Sequence, residues 1–349
     1  MKKVKISIQI FIALLTLAQH SYAQDSLKYV DAKNFVFVGK AKNTQQPYQR
    51  IDANETGKMT KPVQQLAYNS AGIAVIFETN SPTIAANWVL AEEKYMANMT
   101  PIAHSGLDLY CFNNGKWQYV SPARPEEQKV EQNQVIIRRM DTSLKKFMLY
   151  LPLYNTINQL KIGIQKESVI NVPQTAAINL AKRVVIYGSS IVQGASASRP
   201  GMAYPAVMQR KLGMDVINLG FSGNAKMEIE VAEYLATLNA DCYVLDCIPN
   251  QTPEQVAERA LPFIKYLRSK KPETPIILVE SVIRENGFFD QQIGRNVKKQ
   301  NENIKKAYQR LKQENYKNIY YVPASTFMGN DHDGTIDGTH LTDLGFSRM

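Results

Sequence analysis

The first half of the chain consists of short apolar runs separated by turn residues. Between about residue 34 and residue 166, few stretches show the 3.6-residue spacing of a helix, and Asn113-Asn114-Gly115 offers a hairpin turn. This pattern predicts an antiparallel, jelly-roll-like β-sandwich. The clearest predicted strands cover residues 35–38, 73–77, 135–139, 147–151 and 160–164.

After a weakly patterned linker at about residues 167–180, apolar runs begin to alternate with amphipathic stretches. Strands that alternate with helices require right-handed crossovers and a parallel sheet. This half is therefore predicted to be a three-layer, doubly wound α/β domain. Its predicted strands cover residues 184–187, 216–219, 243–245, 276–279 and 319–322.

The predicted helices of the second half are marked by apolar stripes and by one strong start signal. Thr252-Pro253-Glu254-Gln255 has the composition of a capping box with proline at the first helical position, so a helix should begin just beyond Asn250. The three stripes consist of Met227, Val231, Leu235 and Leu238; of Val256, Ala260, Phe263, Ile264 and Leu267; and of Ile293, Val297, Ile304, Tyr308 and Leu311.

Residues 1–23 have the order of a cleaved secretory signal. Three lysines among the first five residues precede an apolar run over residues 6–17, and Ser21-Tyr22-Ala23 supplies the small-x-small cleavage pattern. We expect the mature chain to begin at Gln24 and the protein to be periplasmic or extracellular. No cysteine lies near that point, so a lipoprotein is not expected, and no later apolar stretch approaches the roughly 20 residues of a membrane span.

Composition changes this picture little. The 349 residues are 44% hydrophobic and 21% charged, which is ordinary for a globular protein of about two domains. The net charge of +10 drops by three when the leader lysines leave, and the remaining basic residues are scattered among acidic ones, so no nucleic-acid surface is expected. Three cysteines are an odd number without metal-binding spacing, and we expect them to be buried and unpaired.

Four polar segments carry the candidate chemistry. In open α/β sheets, ligands bind outside the carboxyl ends of the strands, and the first three segments directly follow predicted strands. The segments are Gly188-Ser189-Ser190-Ile191, Ser222-Gly223-Asn224, Pro249-Asn250 and Asp337-Gly338-Thr339-His340.

Ser190 is the candidate nucleophile. A serine needs a base within hydrogen-bond reach, and that base needs a third group to fix its tautomer. His340 has Asp337 three residues before it, whereas His104 lies in the sandwich half and His332 in a loop. The segment does not match the Gly-x-Ser-x-Gly elbow, which argues against the ordinary α/β-hydrolase fold.

Three donors are candidates for holding the oxyanion: the Ser190 N–H, the Gly223 N–H and the Asn250 side chain. Each such donor is worth about 3 kcal/mol of barrier lowering in a dry site. Gly223 precedes a predicted helix, so we expect its N–H to lie at a helix start, where the dipole favours negative charge.

Taken together, these segments resemble the four blocks of the SGNH (GDSL-type) hydrolases, from Arg183 to the end of the chain. The run from Ser105 to Tyr110 resembles the GxDLY signature of a β-sandwich domain that precedes such hydrolases in secreted bacterial proteins. The resemblance implies a Ser190 nucleophile, a His340 base, an Asp337 orienter and the same three oxyanion donors. After the leader predicted over residues 1–23, it divides the chain into a GxDLY domain (24–170) and a hydrolase domain (181–349).

Two departures from the family pattern affect how the family's residue roles apply to this chain. Ser189 stands where the family usually has aspartate. The chain ends where the family normally begins a last helix, so either the sequence is truncated or the protein lacks that helix. Asp108 and Tyr110 are expected to be structural, at a strand edge or the domain interface, whereas Arg199 and Tyr204 either line the cleft or cover the sheet.

The expected function is that of a secreted serine esterase without metal or cofactor, acting on a small-molecule or glycan ester. Analogy with two-domain carbohydrate esterases suggests a carbohydrate acetyl ester. The alternatives are a glycan-binding protein with an idle hydrolase domain and a lipid or thioester hydrolase. A calcium loop starting at Asp331 is disfavoured because Ile336 occupies the position that requires glycine. The acyl group, the alcohol and the oligomeric state are not determined by the sequence.

Overall fold

Two antiparallel sheets form the N-terminal part of the protein in a computed structural model that describes residues 27–349. The leader predicted over residues 1–23 lies outside the described residues. The strands are β1 (Leu27–Asp31), β2 (Val36–Val38), β3 (Ala74–Thr79), β4 (Ile84–Leu90), β5 (Leu107–Asn113), β6 (Lys116–Ala123), β7 (Glu131–Ile137), β8 (Lys145–Tyr150), β9 (Ile157–Gln165) and β10 (Ile170–Asn171). The helices are α1 (Lys61–Ala67) and α2 (Pro101–Ser105).

The sheets pack face to face as the predicted sandwich. One sheet has the order β1-β9-β4-β7 and the other β10-β3-β8-β5-β6, with β2 beside β3. Alternate residues of β4, such as Trp88, share a core with Phe77 of β3 and Phe147 of β8. Asn114 and Gly115 have φ angles of 49° and 76°, as a two-residue hairpin turn between β5 and β6 requires.

The C-terminal part is a parallel sheet of order β12-β11-β13-β14-β15 with helices on both faces, as predicted. Its strands are β11 (Asn179–Gly188), β12 (Met214–Gly220), β13 (Cys242–Asp246), β14 (Ile276–Val279) and β15 (Ile319–Val322). Its helices are α3 (Ser190–Gln193), α4 (Tyr204–Leu212), α5 (Ile229–Ala236), α6 (Pro253–Lys270), α7 (Gln291–Gln313) and α8 (Asp343–Arg348).

Both faces of the inner strands β11 and β13 are buried near the site, which explains their continuous apolar runs. In β11, Val185 and Tyr187 pack into the core under α5, α6 and α7, whereas Val184 and Ile186 pack into the core on the side of α3, α4 and α8. The parallel register places Gly188 beside Gly220 of β12 on one side and Asp246 of β13 on the other. The three strands that precede the candidate site segments therefore end at one edge of the sheet.

The sandwich and the α/β part share a core. Met99, Ala103 and Leu153 of the sandwich belong to the same buried cluster as Ile191 and Val192 of α3. The part of the chain that the structure describes contains no helix long and apolar enough to cross a membrane.

Candidate active site

The segment of the candidate nucleophile, residues 188–191, forms a tight turn between β11 and α3. Gly188 ends the strand, and Ser189 caps the helix by accepting the Ile191 N–H at 3.3 Å. Gly194 ends this four-residue helix with φ of 109°, a conformation that favours glycine. Ser190 is consequently the first helical residue and keeps 7% of its surface exposed.

The structure brings together Ser190, His340 and Asp337. Ser190 Oγ lies 2.9 Å from His340 Nε2, and His340 Nδ1 lies 2.7 Å from Asp337 Oδ2. An ionised carboxylate only accepts hydrogen bonds, so Nδ1 carries the proton of the neutral ring and Nε2 is free to accept from the serine hydroxyl. This is the geometry in which a histidine can act as a general base towards serine.

Asp337 is fixed by its own turn. Its Oδ1 accepts the backbone N–H groups of Thr339 at 3.0 Å and His340 at 2.8 Å. Partial burial favours the protonated carboxyl, but the hydrogen bonds from the His340 backbone and ring, together with that from Thr339, outweigh it and lower the pKa of Asp337. The carboxylate therefore stays ionised around neutral pH and can hold the imidazole in one tautomer.

The expectation that Gly223 opens a helix is wrong. Helix α5 begins at Ile229 with Glu228 at its N-cap, and Gly223 lies in a separate turn with φ of 72°. The helical spacing of the stripe starting at Met227 suggested an earlier start, but Met227 itself has φ of 53°, which is outside the helical region. The direction of the Gly223 N–H is thus set by the turn, and no described residue accepts a hydrogen bond from it.

Asn250 ends a short 3₁₀ turn, Ile248–Asn250, that follows β13. Among the described residues its side-chain amide has no hydrogen-bond partner, and its Oδ1 is buried. Ser190 N–H, as the first helical N–H, has no acceptor within α3. All three predicted oxyanion donors therefore stand at strand ends of the same sheet edge with N–H groups available to a ligand.

Gln193 links the nucleophile helix to the Gly223 turn and was not predicted. Its buried side chain accepts the Ser222 N–H at 3.0 Å and donates to Asn69 Oδ1 and to the Leu153 carbonyl, both at 3.1 Å. The only sequence signal is a polar residue three positions after Ser190, and such a residue is more often exposed.

The GxDLY segment contacts the α/β part at the segment that follows α3. Asp108 Oδ2 accepts hydrogen bonds from Arg199 Nη1 at 2.9 Å and from the Gly201 N–H at 2.8 Å, and Tyr110 also bonds to Arg199. The Arg199 guanidinium lies 3.9 Å from the centre of the Tyr119 ring. Of the two expectations for Asp108 and Tyr110, the structure favours the domain interface, and it places Arg199 there.

Tyr204 covers the sheet. It is buried and donates its hydroxyl to Asp246 Oδ2 at 2.9 Å, while Asp246 Oδ1 has no partner among the described residues. Complete burial raises the pKa of Asp246 to about 7, although the hydrogen bond from Tyr204 acts to lower it. Asp246 is tied to the Ser189–Ser190 turn through its backbone, because its backbone carbonyl accepts the Ser189 N–H at 3.1 Å.

The remaining residues that were considered as a base or as metal ligands make contacts away from Ser190. His104 is buried 2.7 Å from Ser105 Oγ, and His332 Nδ1 lies 2.8 Å from Glu285 on the surface. Asp331 pairs with Arg348 at 2.6 and 2.7 Å. Within residues 27–349, no three His, Cys, Asp or Glu side chains converge as a metal site, and Cys111, Cys242 and Cys247 are unpaired.

Two family models match the chain. The model of the GDSL-like lipase/acylhydrolase family matches residues 181–349, and that of the GxDLY N-terminus of SGNH-type esterases matches residues 27–170. No protein with a curated description matches the chain.

Several solved structures share both domains. A GDSL-like lipase from Bacteroides ovatus is 44% identical, with a TM-score of 0.89 over 93% of this chain and 94% of that chain. A salicylyl-acyltransferase from a tetracycline biosynthetic pathway is 16% identical, with a TM-score of 0.70 over 93% and 94%. A family two carbohydrate esterase from Cellvibrio japonicus is 11% identical, with a TM-score of 0.60 over 93% and 95%. The last two show a common fold.

Proposed function

The chain belongs to the GDSL-like lipase/acylhydrolase family and is a hydrolase of ester bonds, and from this we propose that it cleaves esters through an acyl-enzyme on Ser190. The observation that carries the proposal is the continuous chain of contacts from Asp337 through His340 to Ser190, with distances of 2.7 and 2.9 Å. The proposed catalytic residues are these three.

In the acylation step, His340 Nε2 removes the Ser190 proton as Oγ attacks the ester carbonyl. The ionised Asp337 stabilises the imidazolium that forms and keeps the ring oriented. His340 then gives its proton to the departing alcohol, which leaves an ester between Ser190 and the acyl group. A water molecule, deprotonated by the same imidazole, hydrolyses this ester and restores the free serine.

The negative charge that develops on the carbonyl oxygen needs donors that are already in place. We assign the Ser190 N–H, the Gly223 N–H and the Asn250 amide to this role because all three lie at the same sheet edge and none has an acceptor in the part of the chain that the structure describes. Donors that need no rearrangement contribute most to stabilising such a transition state.

A comparison of the parent protein with Ser190→Ala tests this mechanism. With p-nitrophenyl acetate, the variant should lose about 10³-fold or more in kcat, since the remaining donors alone give little turnover. Ser189→Ala is the matched control: it removes a neighbouring hydroxyl that only caps α3 and should keep most of the activity. Parent-like turnover by Ser190→Ala would exclude the acyl-enzyme mechanism.

For the substrate we propose the acetyl ester of a carbohydrate. The support is the two-domain fold, a sandwich followed by the hydrolase, which the chain shares with carbohydrate esterases. Acetate release from an acetylated polysaccharide should exceed turnover of a long-chain p-nitrophenyl ester. A strong preference for the long acyl chain would instead favour a lipid hydrolase, and sugar binding without any turnover would favour a glycan-binding protein.

We further propose that the protein is exported and cleaved after Ala23. The support is the order of basic, apolar and small residues in the first 23 positions. N-terminal sequencing of the protein from a bacterial periplasmic fraction should begin at Gln24. Recovery of the uncleaved chain from the cytoplasm alone would contradict export.

A further inference from the structure

Arg284 follows the fourth strand of the parallel sheet and lies outside every motif that marks the site. Strand β14 ends at Val279, so the segment that begins at Ser281 leaves the sheet at the same edge as the Ser190 and Asn250 segments. The Arg284 side chain is half-buried.

This segment contacts the turn that carries Asn250. Arg284 Nη2 donates to the Pro249 carbonyl at 2.9 Å, one residue before Asn250. The carbonyl belongs to the 3₁₀ turn Ile248–Asn250, whose geometry determines where the Asn250 side chain points. The hydrogen bond from the Arg284 guanidinium therefore restrains this turn.

The same segment also contacts the loop that carries the acid and the base. The Glu285 N–H donates to the Gly338 carbonyl at 2.8 Å, between Asp337 and His340 in the sequence. Gly338 has φ of 82°, and a side chain there would press on Asn286. Residues 284–286 thus tie the Asn250 turn to the Asp337–His340 loop.

Charge and burial set Arg284 apart from an ordinary surface arginine. Burial lowers the pKa of Arg284, and the negative charge of Asp337 opposes that effect. Its Nε is buried with no partner among the described residues. An unpaired buried donor costs free energy, so the contact of Arg284 with the Asn250 turn is kept at some cost in stability.

We propose that Arg284 is a positioning residue that holds the Asn250 amide where the oxyanion forms. The inference rests on the proposed function, in which Asn250 is an oxyanion donor. It predicts that Arg284 affects the turnover rate through Asn250, and that substrate binding in the ground state changes little.

Arg284→Met removes the donor and keeps much of the apolar stem. With p-nitrophenyl acetate, kcat should fall about 10- to 100-fold with little change in KM, because displacement of an oxyanion donor affects mainly the transition state. Arg284→Lys keeps the charge and one donor and should recover part of the loss.

Arg268→Met is the matched control. Arg268 also donates to backbone carbonyls, those of Lys271, Pro272 and Asn318 at 2.7, 2.8 and 3.0 Å. Its Nε, like that of Arg284, is buried and has no partner within residues 27–349. It lies at the opposite edge of the sheet, before β14 and β15. Both Met variants should melt at lower temperature than the parent, but only Arg284→Met should lose turnover. Equal kcat losses in the two variants would overturn the proposal.

The decisive experiment is a double-mutant cycle with Asn250→Ala. The single Asn250→Ala change should lower kcat about 10²- to 10³-fold. If Arg284 acts through Asn250, adding Arg284→Met should cause no further loss. If the loss of kcat in the double variant equals the product of the two single losses, this inference is overturned, and the Ser190 mechanism is not affected. Parent-like kcat for Asn250→Ala would reject both the oxyanion role of Asn250 and the positioning role of Arg284.

Discussion

At the scale of single residues, the candidate site depends on a few atoms held by short local turns. Asp337 and His340 are three positions apart, and the turn between them uses two backbone N–H groups to fix the carboxylate. Residue type and spacing were therefore enough to predict this pair. Gln193 and Arg284 could not be predicted, because their roles arise from contacts with residues distant in the sequence, such as Asn69 and Pro249.

Asp337→Asn should lower kcat by about 10²- to 10⁴-fold with little change in KM. An amide can donate to the imidazole and so favours the wrong tautomer, and it no longer stabilises the imidazolium. Steady-state kinetics with p-nitrophenyl acetate measures both constants. A variant with parent-like kcat would show that the 2.7 Å contact between Asp337 and His340 has no part in catalysis.

Gly223→Ala tests the turn that holds one proposed donor. Gly223 has φ of 72° and open space where a Cβ would be, so alanine should cost about 1–2 kcal/mol of stability through backbone strain alone. Gly115 in the sandwich hairpin has φ of 76° and equally open surroundings, which makes Gly115→Ala the control. Both variants should lose similar stability in urea unfolding, but only Gly223→Ala should lower kcat. Unchanged kcat for Gly223→Ala would argue against its role as an oxyanion donor.

At the scale of elements, the parallel strands were predicted more closely than the sandwich strands. The strands Ile276–Val279 and Ile319–Val322 have the predicted bounds, because each is an unbroken apolar run between turn signals. The capping box at Thr252 and Gln255 is formed as predicted. In the sandwich, half-buried positions in β4 and exposed positions in β7 interrupt the apolar pattern, so these two strands were missed or shifted.

Asp246, the last residue of β13, should make the stability of the protein depend on pH. Burial raises the pKa of Asp246 to about 7, so the folded state keeps a proton that the unfolded chain releases at lower pH. Stability should consequently fall as pH rises from about 4 towards 7, by up to about 4 kcal/mol from this group, since one pKa unit is about 1.4 kcal/mol.

Asp246→Asn removes this titration while keeping an acceptor for the Tyr204 hydroxyl. Urea unfolding at pH 5 and pH 8 gives the unfolding free energy of both proteins. The free energy of the variant minus that of the parent should be larger at pH 8 than at pH 5. The same difference in stability between parent and variant at the two pH values would show that Asp246 does not titrate in this range.

At the scale of the whole molecule, the two domains form one unit behind the nucleophile. Asp108 is fully buried, and its pair with Arg199 crosses the interface together with the shared apolar cluster. Sequence patterning could divide the chain into two domains, since the spacing of apolar residues differs between the two halves. It could not show that the halves share a core, because that depends on which faces meet.

Asp108→Ala should destabilise the protein by about 3–5 kcal/mol, because it leaves the partly buried Arg199 without its carboxylate partner. Glu233→Gln breaks the exposed pair with Lys58 and should cost less than about 1 kcal/mol. Chemical unfolding, followed by both fluorescence and activity, measures the two losses. A parent-like Asp108→Ala protein would mean that the GxDLY contact does not hold the domains together.

The most direct test of the central claim is to locate the nucleophile chemically. The protein is treated with a fluorophosphonate, which reacts covalently with activated serines, and the labelled peptide is identified by mass spectrometry. We predict label on Ser190 in the parent protein and a large loss of labelling in His340→Ala, because the hydroxyl then lacks its base. Label on another serine, or equal labelling of Ser190 without His340, would contradict the account.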